Sequence, residues 1–268
     1  MRTLATSPAA KSKGFTLLEL MASVAILLIM MAGVFSQLSK LQQTYRTEES
    51  KVDTTQEGRN VLDDISRELH QAGYPGDNLF NPTILANPVM NDSRVAAGLV
   101  RVTPQELWFE GDIDSDGTVD VVDYMLYDSA GNQVTAASTC PCTLQRSQTI
   151  KVNNTAPLAQ VLPGYNVVLS NVLNSGGVPA ANTGLALIGT TNGTANNVLY
   201  AAYKNANLFT ALDRTGTPVA LPVDLNNAVL LSTVKSIVVN VNTLSLNFDA
   251  QTRAQLPATL STTAKLNN

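Results

Sequence analysis

The residues best suited to ligand chemistry lie in one acidic segment near the middle of the chain. From residue 112 to residue 123 the sequence reads DIDSDGTVDVVD, with oxygen-bearing side chains at loop positions 1, 3, 5, 7, 9 and 12 and glycine at position 6. These positions hold Asp112, Asp114, Asp116, Thr118, Asp120 and Asp123. The glycine permits a sharp turn, and position 7 offers a backbone carbonyl. Because Ca²⁺ prefers hard oxygen ligands, the sequence predicts a calcium site in this loop.

The same segment also fits an alternative without metal. The spacing is that of an EF-hand-type loop, but Asp123 replaces the usual bidentate glutamate, which predicts weak affinity. Between Arg101 and Arg146 the chain carries eight acidic residues and no basic one. The flanking residues are β-prone, so we expect a β-hairpin with the loop at its tip rather than a helix-loop-helix. An acidic, solvated hairpin turn is therefore the alternative to a calcium site.

A second unusual residue is Glu19, the only charge in the apolar run from residue 15 to residue 35. As a helix this run is about 31 Å long, enough to cross the hydrocarbon core of a bilayer. Arg2, Lys11 and Lys13 precede it without an acidic residue, which predicts a cytoplasmic amino terminus and an exported remainder. A cleaved secretory signal or a plain signal anchor would fit the length. Neither explains an intramembrane carboxylate, whose charge needs a partner.

The residues around Glu19 resemble the type III signal of type IV prepilins and pseudopilins. The match runs from Lys13 to Glu19 and reads KGFTLLE. The resemblance implies that a prepilin peptidase cleaves after Gly14 and methylates the new amino group of Phe15. It also implies that Glu19 attracts the Phe15 amine of a neighbouring subunit during assembly. The implied partners are pilins and minor pilins, contacted through the N-terminal helix, and an inner-membrane assembly platform. The implied location is the bacterial inner membrane and then a fibre at the cell surface.

The apolar run continues into an amphipathic helix, with apolar residues spaced mostly by threes, fours and sevens. Gly73, followed by Tyr74 and Pro75, predicts its end. Gly33 and Gly58 are candidate points of bending. A coiled-coil dimer is the alternative to a helix packed on its own domain. The predicted organisation is a cleaved leader (1–14), a membrane and fibre-core half-helix (15–37), an amphipathic half-helix (38–73) and a β-rich extracytoplasmic domain (74–268).

The predicted fold class is α+β, with a long N-terminal pilin helix packed on an antiparallel β-rich domain. Runs at 166–169, 197–200 and 234–242 read as strands. Residues 60–74 resemble the helix end of PilW-like minor pilins, although J-type pseudopilins of type II secretion are organised similarly. The resemblance implies a minor pilin that is incorporated into or primes a type IV pilus and supports adhesion, motility or DNA uptake. A type II secretion pseudopilin and a membrane-anchored, calcium-dependent adhesin are the alternatives.

The composition argues against an enzyme. The 268 residues include one His and two Cys, too few for a clustered His/Cys zinc site, and no paired nucleophile is indicated. The formal net charge of -4 argues against a nucleic-acid-binding surface. On the exported side, Cys140 and Cys142 predict either a local disulfide or a free or externally paired dithiol.

Overall fold

The computed structural model describes residues 14, 16–76, 91–135, 138, 140–174, 203, 206–248 and 255–266. The chain divides into two compact units, with the boundary between Tyr45 and Arg46. The first helix, α1 (Leu17–Gln71), contributes to both units. Burial on this helix begins at Thr47, so the two stretches of α1 have different surroundings and are described separately.

The second stretch of α1 ends where the sequence predicts. Gly73 has φ 81°, the left-handed conformation that glycine adopts readily at the end of a helix. The helix continues without interruption through Gly58, which is buried against strand β9 (Gln255–Lys265). A Cβ atom at Gly58 would collide with the side chain of Leu260. The prediction that Gly58 bends or melts the helix is therefore wrong, and this glycine permits a close approach of strand and helix.

Nine strands of the described residues form one sheet in which every pairing is antiparallel. The first eight are β1 (Leu99–Val102), β2 (Glu106–Gly111), β3 (Asp120–Tyr127), β4 (Cys142–Ile150), β5 (Asn166–Val172), β6 (Phe209–Leu212), β7 (Val223–Asp224) and β8 (Ser236–Phe248). The strand order is β6-β8-β5-β4-β3-β2-β1-β7, and β9 pairs with β8. A short helix, α2 (Ala228–Thr233), precedes β8. The predicted α+β class is confirmed.

The predicted strands are present where the structure describes them. The run at 166–169 begins β5, and the run at 234–242 overlaps the long strand β8. The run at 197–200 lies outside the described residues. Along β8, partly accessible and buried side chains alternate from Ser236 to Val241, as the period of two predicts.

The main core lies between the second stretch of α1 and one face of the sheet. Ile65 and Leu69 of the helix are fully buried, as are Phe109, Val122 and Leu126 of the sheet. Because side chains alternate along a strand, residues 122, 124 and 126 of β3 face the helix, while residues 121, 123 and 125 face away from it. We call these the inner and outer faces of the sheet.

Candidate functional site

The amino-terminal end of α1 is closed by reciprocal hydrogen bonds between Thr16 and Glu19. The Thr16 backbone N–H donates to Glu19 Oε2 at 3.0 Å, and the Thr16 hydroxyl donates to the same oxygen at 3.1 Å. The Glu19 N–H donates to Thr16 Oγ1 at 3.3 Å. This capping box satisfies donors that the first turn of a helix leaves unpaired. Gly14 is exposed beside it, whereas Phe15, the predicted site of cleavage and methylation, lies outside the described residues.

The helix surface around Glu19 is apolar and uncovered. Every described residue from 16 to 46 is exposed, and Ile29 and Phe35 keep 73% and 64% of their surface accessible. The helix α1 is long and apolar enough to cross a membrane, because it contains an 18-residue window with a mean hydropathy of 2.4. Apolar surfaces of this extent mark contacts with a membrane or a protein partner. The segment therefore has the properties of a membrane anchor that also offers a packing surface.

The acidic loop connects β2 to β3 at the tip of a hairpin, as the sequence predicts. Asp112, Asp114 and Asp116 each offer a carboxylate oxygen, and these oxygens lie within 4.8 Å of one another. The Asp116 N–H donates to Asp112 Oδ1 at 3.1 Å, and the Gly117 N–H donates to Asp112 Oδ2 at 3.2 Å. Ser115 and Gly117 adopt φ 62° and 88°. The fold thus brings three of the predicted ligands into one cluster.

Thr118 forms two hydrogen bonds with Asp116 within the acidic loop. Its N–H and its hydroxyl both donate to Asp116 Oδ1. These hydrogen bonds favour the ionised carboxylate and hold the pKa of Asp116 below its ordinary value. Asp116 therefore carries its charge in neutral solution.

The last two predicted ligands, Asp120 and Asp123, lie on strand β3 and outside the cluster of three carboxylates. Asp120, the first residue of β3, is buried and accepts a hydrogen bond from Gln148 Nε2 at 2.9 Å. Burial raises the pKa of Asp120 to about 6, and the charges of Asp114 and Asp116 act in the same direction. Asp123 lies three residues further along β3 and therefore on the outer face. Asp123 therefore lies within β3 and is not part of the cluster of Asp112, Asp114 and Asp116, and its assignment as a ligand stays a prediction.

Asp123 occupies a buried site of its own. It is fully buried, and its Oδ2 accepts a hydrogen bond from the Tyr165 hydroxyl. Its Oδ1 has no hydrogen-bond partner in the described part of the chain. Burial, with a further contribution from Glu106, raises the pKa of Asp123 to about 8. In the absence of a bound cation, burial thus favours the neutral form of this carboxyl.

Three residues that we call the helix clamp, Glu68, Tyr124 and Arg146, join α1 to the inner face of the sheet. Arg146 contacts the two carboxylate oxygens of Glu68 at 2.8 and 3.2 Å. The Tyr124 hydroxyl donates to Glu68 Oε2 at 2.8 Å. Arg146 also donates to Gln148 Oε1 at 2.7 Å, and the amide of Gln148 contacts Asp120. One polar network thus extends from the acidic loop to the end of α1.

The backbone makes a second connection at the same place. The Gly73 N–H donates to the Glu110 carbonyl at 2.9 Å, and the Asp112 N–H donates to the Tyr74 carbonyl at 2.8 Å. A Cβ atom on Gly111 would lie 2.6 Å from the carbonyl oxygen of the last residue of α1. The first residue of the acidic loop is therefore fixed directly to the exit from the helix.

Counter-charges for the acidic hairpin come from outside its sequence. Lys151 is 3% exposed and forms a 2.7 Å ion pair with the fully buried Glu110. Lys151 Nζ also donates to the Val95 carbonyl at 2.9 Å. Sequence reasoning missed this pair because its members are 41 residues apart and no local pattern connects them.

The two cysteines are joined in the structure. Cys140 and Cys142 form a disulfide with a Cα–Cα distance of 4.4 Å, and both residues are buried in the main core. This arrangement matches the local disulfide among the alternatives that the sequence leaves open. Its burial favours a structural role over redox exchange.

Comparison with known proteins supports the reading of the amino-terminal segment. Residues 9–35 match the family model of the prokaryotic N-terminal methylation motif. No curated protein and no solved structure matches the chain. This motif and the long apolar helix that follows it identify the amino-terminal segment as a type IV prepilin signal, which supports a pilin-like structural protein. The motif implies processing by a prepilin peptidase and assembly with other pilins at a membrane.

Proposed function

We propose that this protein is a minor pilin of a type IV pilus, most similar to the PilW-like group, which is incorporated into the fibre or primes its polymerisation. The main support is the placement of Glu19 at the start of a helix whose surface is uncovered from residue 16 to residue 46. A large domain follows this helix. A bulky subunit suits an occasional or terminal position better than every position of a fibre. At that position its domain would serve adhesion, motility or DNA uptake.

The assembly step follows from the electrostatics of a carboxylate in an apolar medium. Prepilin cleavage after Gly14 would create an amino group on Phe15, and a charged amine near Glu19 would offset the cost of keeping that carboxylate in the membrane. Among the residues that the structure describes, the Glu19 carboxylate accepts hydrogen bonds from Thr16 of its own helix. An amine from a neighbouring subunit would supply the opposite charge that Thr16 lacks.

The substitution Glu19→Val tests this proposal, with Glu48→Val as the matched control on the exposed surface of the same helix. We expect Glu19→Val to remain in the membrane fraction and to disappear from sheared surface fibres. Glu48→Val should appear in both fractions. Normal recovery of Glu19→Val in fibres would contradict the amine pairing.

The type II secretion alternative predicts a different outcome for the unmodified protein. A J-type pseudopilin would be absent from surface fibres in a strain that assembles pili, and its deletion would reduce protein secretion while pili remain. Surface fibres that contain the protein, together with unchanged secretion in the deletion strain, would favour the pilus.

We further propose that Asp112, Asp114 and Asp116 hold Ca²⁺, on the strength of the 4.8 Å grouping of their oxygens. Calcium titration calorimetry on the full chain in detergent tests this site. The double variant Asp114→Asn/Asp116→Asn should lose the binding heat. Asp213→Asn is the matched control, because Asp213 accepts hydrogen bonds from Thr215 and Thr217 in a similar turn. The absence of heat from the wild type at millimolar calcium would contradict the site.

A further inference from the structure

A shallow groove crosses the outer face of the sheet where β6 and β9 flank β8. Phe209, Ile237 and Val239 of these strands are buried in the main core, so the residues that alternate with them point to the opposite face. The groove has a volume of about 560 Å³, which is within the range of small-ligand sites. The residues that line it are Ala206, Asn207, Thr210, Val238, Asn240 and Ser261.

The polar side chains of the groove are uncharged amides and hydroxyls. Asn240 and Ser261 are direct cross-strand neighbours on β8 and β9. The next outward-facing pair on the same two strands, Asn242 and Thr259, is joined by a 2.8 Å hydrogen bond between the side chains. The side chains of Asn240 and Ser261 form no such bond within the described part of the chain. Their donors and acceptors are therefore available to a ligand in the groove.

A fully buried side chain, Asn174, holds the backbone on two sides of the groove. Its Nδ2 donates to the carbonyls of Asn207 and Asn240 at 3.2 and 2.8 Å. Its Oδ1 accepts a hydrogen bond from the Asn242 N–H at 2.7 Å. The residues that enter β6 and the middle of β8 are thus fixed to one amide. Such pre-organisation lowers the cost of ordering the site when a ligand binds.

The rest of the lining is apolar. Ala206 and Val238 are half-buried, and no charged side chain of the described residues lines the groove. A charged ligand would lose hydration there without gaining an ion-pair partner. A sugar matches the lining better, because its hydroxyl groups donate and accept hydrogen bonds while the C–H faces of its ring can pack on apolar side chains.

We propose that this groove is a binding site for uncharged oligosaccharides. Asn207 and Asn240 would bind sugar hydroxyls through their amides, each of which has both donors and an acceptor. Thr210 and Ser261 would contribute hydroxyl groups, and the sugar ring would pack on Val238. This binding does not depend on incorporation into a fibre, so the site can be tested on the purified protein.

Binding to an array of immobilised oligosaccharides tests the site, with the full chain held in a detergent that has no sugar head group. The array carries neutral, sialylated and sulfated oligosaccharides and an uncharged peptide of Ser, Thr and Val residues. We expect binding to neutral oligosaccharides that the same oligosaccharide competes in free form. A preference for the charged oligosaccharides or for the peptide, or no binding to any neutral oligosaccharide, would overturn the proposal.

Two variants and one control make the result specific to the groove. Thr210→Val/Asn240→Leu removes a hydroxyl and an amide at similar side-chain volume and should weaken binding by about tenfold. Ser261→Ala, at an exposed position where folding is not at risk, should weaken it by about threefold. Thr149→Val is the matched control, because Thr149 lies on the outer face in β4 and outside the groove. Binding by both groove variants that equals wild type would overturn the proposal.

Discussion

The two stretches of α1 differ in how hydrophobicity relates to burial, although the second also buries Ile65 and Leu69 in the main core. Before residue 46 the helix presents large apolar side chains such as Leu28 and Phe35, and they are 61% and 64% exposed. After that point it buries Thr47, Ser50 and Thr54, whose side chains are small and polar. A helix in water would bury the first set and expose the second.

This contrast shows that the two stretches are adapted to different solvents. Large apolar side chains on a lone helix are stable in a bilayer or against other apolar helices. Small side chains on the second stretch allow the sheet to approach the helix closely, as Gly58 does for Leu260. The sequence of one helix thus encodes an anchor and a docking surface in succession.

The largest difference between the two stretches should be seen in membrane insertion, when an acidic residue is introduced into the stretch before residue 46. Leu28→Asp replaces a lipid-facing residue and should disfavour insertion by about 3 to 4 kcal/mol. Val52→Asp, at a residue that is also 50% exposed but lies in the second stretch, should leave insertion unchanged. Carbonate extraction of membranes measures both. If both variants stay in the membrane to the same extent after carbonate extraction, the claim that only the first stretch acts as a membrane anchor would be contradicted.

A somewhat smaller effect should come from breaking the helix clamp. Glu68→Ala leaves Arg146 and the Tyr124 hydroxyl without their shared partner, and we expect a loss of about 2 to 3 kcal/mol of unfolding free energy. The control is Asp64→Ala, because Asp64 pairs with Arg67 at the surface, where the side chains are 54% and 70% exposed. Such pairs contribute about 0 to 1 kcal/mol. Denaturant unfolding followed by Trp108 fluorescence measures both variants, and similar losses would refute a special role for the clamp.

The two helical glycines provide a closely matched comparison. Gly58→Ala places a methyl group against Leu260 and should destabilise the domain by about 1 to 2 kcal/mol. Gly33→Ala meets nothing within 4 Å and should leave unfolding of the domain unchanged, because alanine favours the helix. Adding Leu260→Ala should recover part of the loss at Gly58. If both alanine variants unfold as wild type, the close approach at Gly58 is not a determinant of stability.

An effect that depends on pH, unlike those above, should come from Asp123. Its folded pKa is raised to about 8 from 3.8, so proton binding favours the folded state and this stabilisation is lost as pH rises from about 4 to 8. Asp123→Asn should therefore gain thermal stability relative to wild type as pH increases. A difference in Tm between the two proteins that is constant from pH 5 to about pH 9 would contradict this linkage.

Local patterns were sufficient to predict the features that depend on neighbouring residues. The apolar run, the end of α1 at Gly73 and the β-prone flanks of the acidic loop all follow from short-range spacing. The grouping of Asp112, Asp114 and Asp116 follows likewise, because alternate residues of a tight turn converge. These elements were accordingly predicted in type, and their boundaries differ by a residue or two.

Features that depend on tertiary contacts could not be predicted. The pairing register of β3 with β2 decides that Asp123 lies on the outer face, and a shift of one residue in that register would reverse the face. The pairing of Lys151 with Glu110 and of Arg146 with Glu68 joins distant segments. Gly58 has the same local sequence signature as a helix-weakening glycine, and only the position of Leu260 reveals its role.

The most direct test of the central claim is the mass of the mature amino terminus. The protein should be purified from cells with an active prepilin peptidase and digested, and the first peptide should be sequenced by mass spectrometry. We expect the chain to begin at Phe15 and to carry one methyl group on its amine, and a Gly14→Val variant to retain residues 1–14. A wild-type chain that still begins before Phe15 in those cells would contradict the assignment as a pilin.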